Sequence, residues 1–113
     1  MESPFAKSTF MSTYLSEGEA KPKLRIAFDV DGTLITEDYT DAVPRYEVIQ
    51  LFWWFHSQGH TMFIWSGGGM DYARRWMEKL GLDAVILEKK SRQDIDIAVD
   101  DCECDLAVTN LFV

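Results

Sequence analysis

The sequence predicts an α/β fold, a Rossmann-like parallel sheet flanked by helices. Four short β-rich apolar runs recur along it: LRIAFDV (24–30), HTMFIWS (60–66), DAVILE (83–88) and IDIAVDD (95–101). Segments of helical periodicity separate the first run from the second and the second from the third. Each run stops at polar or glycine-rich residues, which is how the buried strands of a parallel sheet read.

The elements follow in order. Residues 1–22 are rich in Ser, Glu, Lys and Pro without sustained periodicity. They are expected to form a flexible arm ahead of a single domain, 23–113. The first strand is bounded by Pro22 and Gly32. After the loop ITEDYTDAV, Pro44 suits the first turn of a helix, with Asp41 available near its start. That helix runs to about Gln58 and stops at Gly59. Its Val48, Leu51, Phe52 and Phe55 share one face at helical spacing. Trp53 and Trp54 fall outside that stripe, so either both sides of the helix are covered or the tryptophans meet a partner; self-association is one expectation. The second strand leads through GGG (67–69) into the helix MDYARRWMEKL, with Tyr72, Ala73, Trp76, Met77 and Leu80 on one face. Gly81 ends it. LAVTNLFV (106–113) is a candidate fifth strand. Strands separated by helices point to parallel pairing with right-handed crossovers.

Composition narrows the function. Of 113 residues, 47% are hydrophobic and 13% aromatic, enough for a real core and unlike a disordered chain. The net charge of −8 argues against a general attraction for nucleic-acid backbones or anionic membranes. The longest apolar run, LFWWF, is far short of a membrane span, and no secretory signal is evident. Cys102 and Cys104 are too close to read as a disulfide framework, so cytoplasmic residence is the expectation. No His neighbours the pair in sequence to complete a soft-metal site. His56 and His60 read as helix-end or surface residues rather than ligands.

Ligands of open parallel sheets bind at the carboxyl ends of the strands. Those ends here carry DVDGT, SGGG, KKSR and DDCECD. Each piece alone is usually a turn or a solvated end; together they suit a divalent cation holding a phosphate. Asp29 and Asp101 supply hard oxygen ligands of the kind Mg²⁺ takes. The Ser66 hydroxyl, the amides of Gly67 and Gly68 and the following helix dipole suit phosphate oxygens. A lysine would neutralise further charge.

This order of motifs resembles the haloacid dehalogenase-like (HAD) phosphohydrolase superfamily over about residues 24–105. DVDGT (29–33) is similar to its D-x-D-G-T motif, IWSGGG to its apolar strand ending in Ser or Thr, and VDD followed by Asp105 to its acidic strand end. The resemblance implies a HAD-like core and a Mg²⁺-dependent phosphatase. Asp29 would be the nucleophile, forming an aspartyl-phosphate, and Asp31 the general acid and base. Mg²⁺ would bind the Asp29 carboxylate, the Asp31 carbonyl, the phosphate and Asp101, with Asp100 behind or bridged by water. Thr33 would steady the loop, and Ser66 and Gly67 would hold phosphate oxygens. Lys90 is the favoured phosphate-stabilising cation, with Lys89 and Arg92 as alternatives; the connection beyond them is too short for the usual intervening helix. No segment is long enough for a cap domain. That implies an open site and either a large phosphorylated substrate (a nucleotide, a nucleic-acid end or a protein) or a partner subunit that covers the site. The other classes are a non-catalytic phosphate- or metal-binding module and a phosphotransferase.

Overall fold

A computed structural model describes residues 22–37 and 41–113. The expected arm over 1–22 thus falls, but for its last residue, outside the described residues. Five strands, β1 (Arg25–Asp29), β2 (Thr61–Trp65), β3 (Val85–Ile86), β4 (Ile97–Asp100) and β5 (Thr109–Phe112), make one sheet in the order β3-β2-β1-β4-β5. Every neighbouring pair is parallel. Helix α1 (Tyr46–Ser57) joins β1 to β2, and α2 (Met70–Leu80) joins β2 to β3. This five-stranded parallel sheet with two helices is compatible with a Rossmann-like arrangement. β3 is shorter than the six-letter run DAVILE because it is an edge strand with one partner; Leu87 N–H still donates to Ile64 O at 3.1 Å just beyond it.

Alternation along the strands divides the core in two. Ile26 and Phe28 of β1 and Met62 and Ile64 of β2 face both helices, meeting Val48, Phe52 and Phe55 of α1 and Ala73 of α2. Phe28 meets Phe52 edge-on at 5.3 Å and Phe55 at 6.3 Å. Burying each such ring stabilises the fold by roughly 1.5–3 kcal/mol, and edge-to-face contact adds to that. Leu51 and Trp54 pack half-buried against the same cluster. Trp53 remains 38% exposed, its ring edge-on to Phe52 and His56.

Among the described residues, the opposite face of the sheet carries no helix, unlike the expected helix-flanked architecture. Ala27, Phe63, Trp65 and Ala98 point there and are covered by Ile95, Ala107, Leu87 and Leu106, all from connecting segments. The chain returning from β3 over β2 and β1 to β4 has only residues 87–96 to do so. An extended strap spans that distance where a helix, at 1.5 Å per residue, would not. The start of α1 also differs. Arg45 is its N-cap, and the Arg45 side chain does not bond the first amides; Arg45 N–H instead donates to Leu34 O at 2.8 Å, tying the helix to the β1 loop. At the end of α2, Gly81 adopts the left-handed conformation (φ 68°) that a helix terminus favours, as its place in the sequence predicts.

β1 connects onward to β2 on one side, and β4 to β5 on the other. The strand order therefore reverses between β1 and β4, and the crevice at their carboxyl ends is the fold's natural ligand position.

Candidate functional site

Asp29 ends β1 and Asp100 ends β4. Ala27 pairs with Ala98 in register, so residues two further on, Asp29 and Asp100, project to the same helix-free face. Both are only 4% exposed. Lys89 on the covering strap reaches them: its Nζ lies 2.9 Å from Asp29 Oδ1 and 2.8 Å from Asp100 Oδ2. Asp100 Oδ2 has no hydrogen bond of acceptable angle. At 2.8 Å the charge contact with Lys89 is the operative interaction, and the oxygen keeps a lone pair for a further ligand. Asp100 Oδ1 accepts from Cys102 N–H at 3.0 Å. Thr33 Oγ1, fully buried, stands 3.3 Å from Asp29 Oδ2 and 3.5 Å from Asp101 Oδ1.

The favoured lysine is therefore corrected. Lys89, not Lys90, reaches the acids, and Lys90 is exposed. Leu87 packs onto the helix-free face, and an extended chain returns to that face at the second residue, Lys89. Arg92 is engaged elsewhere, in a forked contact with Asp94 at 2.9 Å. The placing of Asp100 behind Asp101 is corrected too: oxygens of Asp29, Asp100 and Asp101 all lie within 4.8 Å of one another, and Asp100 is the more buried of the β4 pair. Asp105 lies apart, accepting from Asn110 Nδ2 at 3.3 Å. The Asp31 carboxylate is outside the three-acid cluster; it accepts from Tyr72 Oη at 2.5 Å. Tyr72 and Arg45, which donates to Gly32 O at 2.6 Å, carried no signal in the sequence beyond their helical positions.

In the β1–β2 register Asp29 pairs with Trp65, so Ser66 begins the turn beside the end of β1. Ser66 is buried, and its Oγ accepts from Gly68 N–H at 2.9 Å, leaving its own proton to donate. Gly67 is exposed, with open space where a Cβ would stand. His56 pairs with Asp83 at 2.9 Å, and His60 Nδ1 accepts from Leu24 N–H at 3.0 Å, so neither serves this site. Cys102 and Cys104, whose spacing reads as too close for a disulfide framework, form a disulfide.

The donor set fits a hard divalent cation. Three carboxylates gather at one point, and the one lysine there contacts only two of them, Asp29 and Asp100. Burial, more than the neighbouring Asp100 and Asp101, drives Asp29 from 3.8 up to about 6, even though Lys89 pulls the other way. Asp101 is raised as well, by burial and then by Asp100. Oxygens alone in this arrangement suit Mg²⁺, and the strain of gathering them is what an added cation relieves.

This carries a prediction. The cation-free native state holds the Asp29 proton more tightly than the unfolded chain does. Stability is therefore highest below pH 4 as far as this group is concerned, and falls as the pH rises from about 4 to about 6, by on the order of 3 kcal/mol. Urea denaturation with chelator across that window is expected to reveal the fall, and millimolar Mg²⁺ to diminish it. An identical profile in Asp29→Asn would contradict the assignment.

Gly32 closes the site from below. Its φ is 79°, and a Cβ there would collide with the Asp101 carboxylate. Gly32→Ala is expected to destabilise by about 1–2 kcal/mol and to weaken Mg²⁺ binding by pushing Asp101 aside. Calorimetric titration with Mg²⁺ checks this; unchanged affinity would separate Asp101 from the cation site.

The chain matches the family described as protein of unknown function (DUF705) over residues 4–95. It belongs to that family. The DUF705 match takes in Asp29, Ser66, Tyr72 and Lys89, and stops just before β4 with Asp100 and Asp101. No curated protein matches the chain. The haloacid dehalogenase-like assignment is thereby overturned: the matching family is DUF705, and no haloacid dehalogenase-like family matches. The motifs behind it are short strand-end patterns, which any parallel sheet gathering acids and a glycine turn at its carboxyl edge can carry. No helix among the described residues is long and apolar enough to cross a membrane.

Proposed function

We propose that this chain is a Mg²⁺-dependent phosphohydrolase that cleaves a phosphate monoester by way of a phosphoryl group carried on Asp29. The observation that carries this reading is the buried Asp29 carboxylate at a strand end, paired with Lys89 and adjoined by Asp100 and Asp101. A buried carboxylate with a cation on one oxygen and a hydroxyl on the other is held as an aimed nucleophile.

In the first step an Asp29 oxygen forms a bond to phosphorus, the ester P–O bond breaks, and protonated Asp31 gives its proton to the leaving oxygen. In the second, water attacks the phosphorus, Asp31 takes back a proton, and the Asp29–phosphorus bond breaks to release phosphate. Lys89 offsets the negative charge at Asp29. Ser66 Oγ and the Gly67 amide are available to phosphate oxygens beside it. Thr33 steadies Asp29. Bound Mg²⁺, held by Asp29, Asp100, Asp101 and the Asp31 carbonyl, would supply charge neutralisation to the phosphate. The short turns around the crevice favour a large ester, such as a nucleotide, a nucleic-acid end or a phosphoprotein.

The test is phosphate release from aryl phosphates, nucleotides, phosphorylated oligonucleotides and phosphopeptides, with Mg²⁺ and with chelator. Release that requires the metal supports the proposal. Mg²⁺ binding without turnover on any ester would point to a binding module instead, and transfer of label to an acceptor other than water would point to a phosphotransferase.

A further inference from the structure

Asp31 has two oxygens, and the structure distinguishes them. Tyr72 Oη, from the first turn of α2, donates to Asp31 Oδ1 at 2.5 Å across a gap of 41 residues. The Asp31 side chain leaves the acid cluster to make this contact. Tyr72 is half-buried and packs against the helix-side core, so its hydroxyl is carried on a fixed ring. Arg75 lies over that ring at 5.9 Å from its centre. The backbone beneath Asp31 is also held: the amides of Thr33, Leu34 and Ile35 all converge on Val30 O at 3.0–3.2 Å, and Arg45 grips Gly32 O.

We infer that Tyr72 is a positioning residue that dedicates Asp31 Oδ2 to proton transfer, by occupying Oδ1 throughout the reaction. This deepens the proposed phosphohydrolase reading and rests on it. While Asp31 is an acid, the proton sits on Oδ2 and passes to the leaving oxygen. While Asp31 is a base, Oδ2 receives the proton of the attacking water. In both states Oδ1 accepts from Tyr72, so the carboxyl need not rotate between steps. A carboxylate free to turn would present the wrong oxygen part of the time and lose the alignment that proton transfer requires. The first turn of α2 follows directly on the Ser66–Gly69 turn, so one rigid element sets both the phosphate-facing amides and the orientation of the acid.

Two measurements on the full chain test the inference. The first is a double-mutant cycle of Tyr72→Phe and Asp31→Ala, read as unfolding equilibria. A hydrogen bond to a charged group predicts non-additivity of about tenfold or more in the unfolding constant. Additive effects would overturn the contact whatever the activity. The second is steady-state and burst kinetics of Tyr72→Phe at saturating Mg²⁺. With alkyl phosphates, whose leaving oxygen needs a proton, kcat is expected to fall about 10- to 100-fold with KM little changed. With an aryl phosphate that leaves unprotonated, the first step is spared and the second slowed, so a burst of phenol is expected. A uniform loss for both esters without a burst would mark Tyr72 as merely structural. No turnover by the wild-type protein, with coupling present in the cycle, would refute the proton-transfer role through failure of the phosphohydrolase reading itself.

Discussion

Asp29→Asn is expected to lower phosphate release by about ten-thousand-fold or more, with the protein still folded. The amide is close in shape to the carboxylate but is a far weaker nucleophile, and removal of a nucleophile forfeits the whole covalent route. Stability is expected to respond differently. Asp29 sits buried with its pKa raised to about 6, so the native state is already working against its charge at neutral pH. Asparagine removes that burden together with the pairing to Lys89, and Lys89 keeps Asp100 at 2.8 Å. Thermal unfolding in chelator should place the variant near or above the wild type. Retained turnover would remove Asp29 from the mechanism; loss of turnover accompanied by unfolding would leave the loss unspecific.

Lys89→Met is expected to damage both stability and catalysis. Asp29 and Asp100 would face each other across a site with no cation, and removal of one partner from a buried charge pair destabilises by about 3 kcal/mol. In the proposed mode of binding, Mg²⁺ should recover much of that loss by bringing charge to the same oxygens. Turnover should not recover in the same way: a fixed cation beside the transferring group contributes about a hundredfold or more. Lys90→Ala, an exposed neighbour, is expected to stay within about 0.5 kcal/mol of wild type and to keep full activity. Chemical denaturation with and without Mg²⁺, together with kcat for both variants, separates the two lysines. A loss in Lys90→Ala with Lys89→Met spared would reverse the assignment.

Much of the sheet was legible because local pattern and global fold agree. The runs at 24–30, 60–66 and 95–101 are apolar, short and punctuated, and each became a strand. Both helices fell where periodicity and glycine stops put them, apart from the start of α1, which comes at Tyr46, beyond Pro44. The layering was not legible, since nothing in DAVILE or KKSRQD says which face the chain crosses on its return to β4. That crossing decides which lysine meets the acids. The alternation from Leu87 to Lys89 is the one signal that distinguishes Lys89 from Lys90, and it reads correctly only if the chain stays extended past β3. Asp29, Ser66 and Asp101 were visible as strand-end residues. Asp100 was visible but ranked behind Asp101, because motif spacing took precedence over strand parity: Asp100 shares its face with Ala98 and with Asp29. Tyr72 was read as a core-facing helix residue, which its ring is; its hydroxyl meets Asp31 through tertiary placement of α2, which sequence spacing does not encode. The family assignment drawn from the same motifs failed for a related reason: the placement of residues at strand ends is recoverable from short patterns, and ancestry is not.

The central claim is that Asp29 carries the phosphoryl group. Acid quench during turnover of an aryl phosphate, followed by mass spectrometry of the peptide containing Asp29, tests it most directly. The predicted result is one added phosphoryl group on Asp29, dependent on Mg²⁺ and absent from Asp29→Asn. Sustained Mg²⁺-dependent turnover with no phosphoryl group on the quenched protein would contradict it.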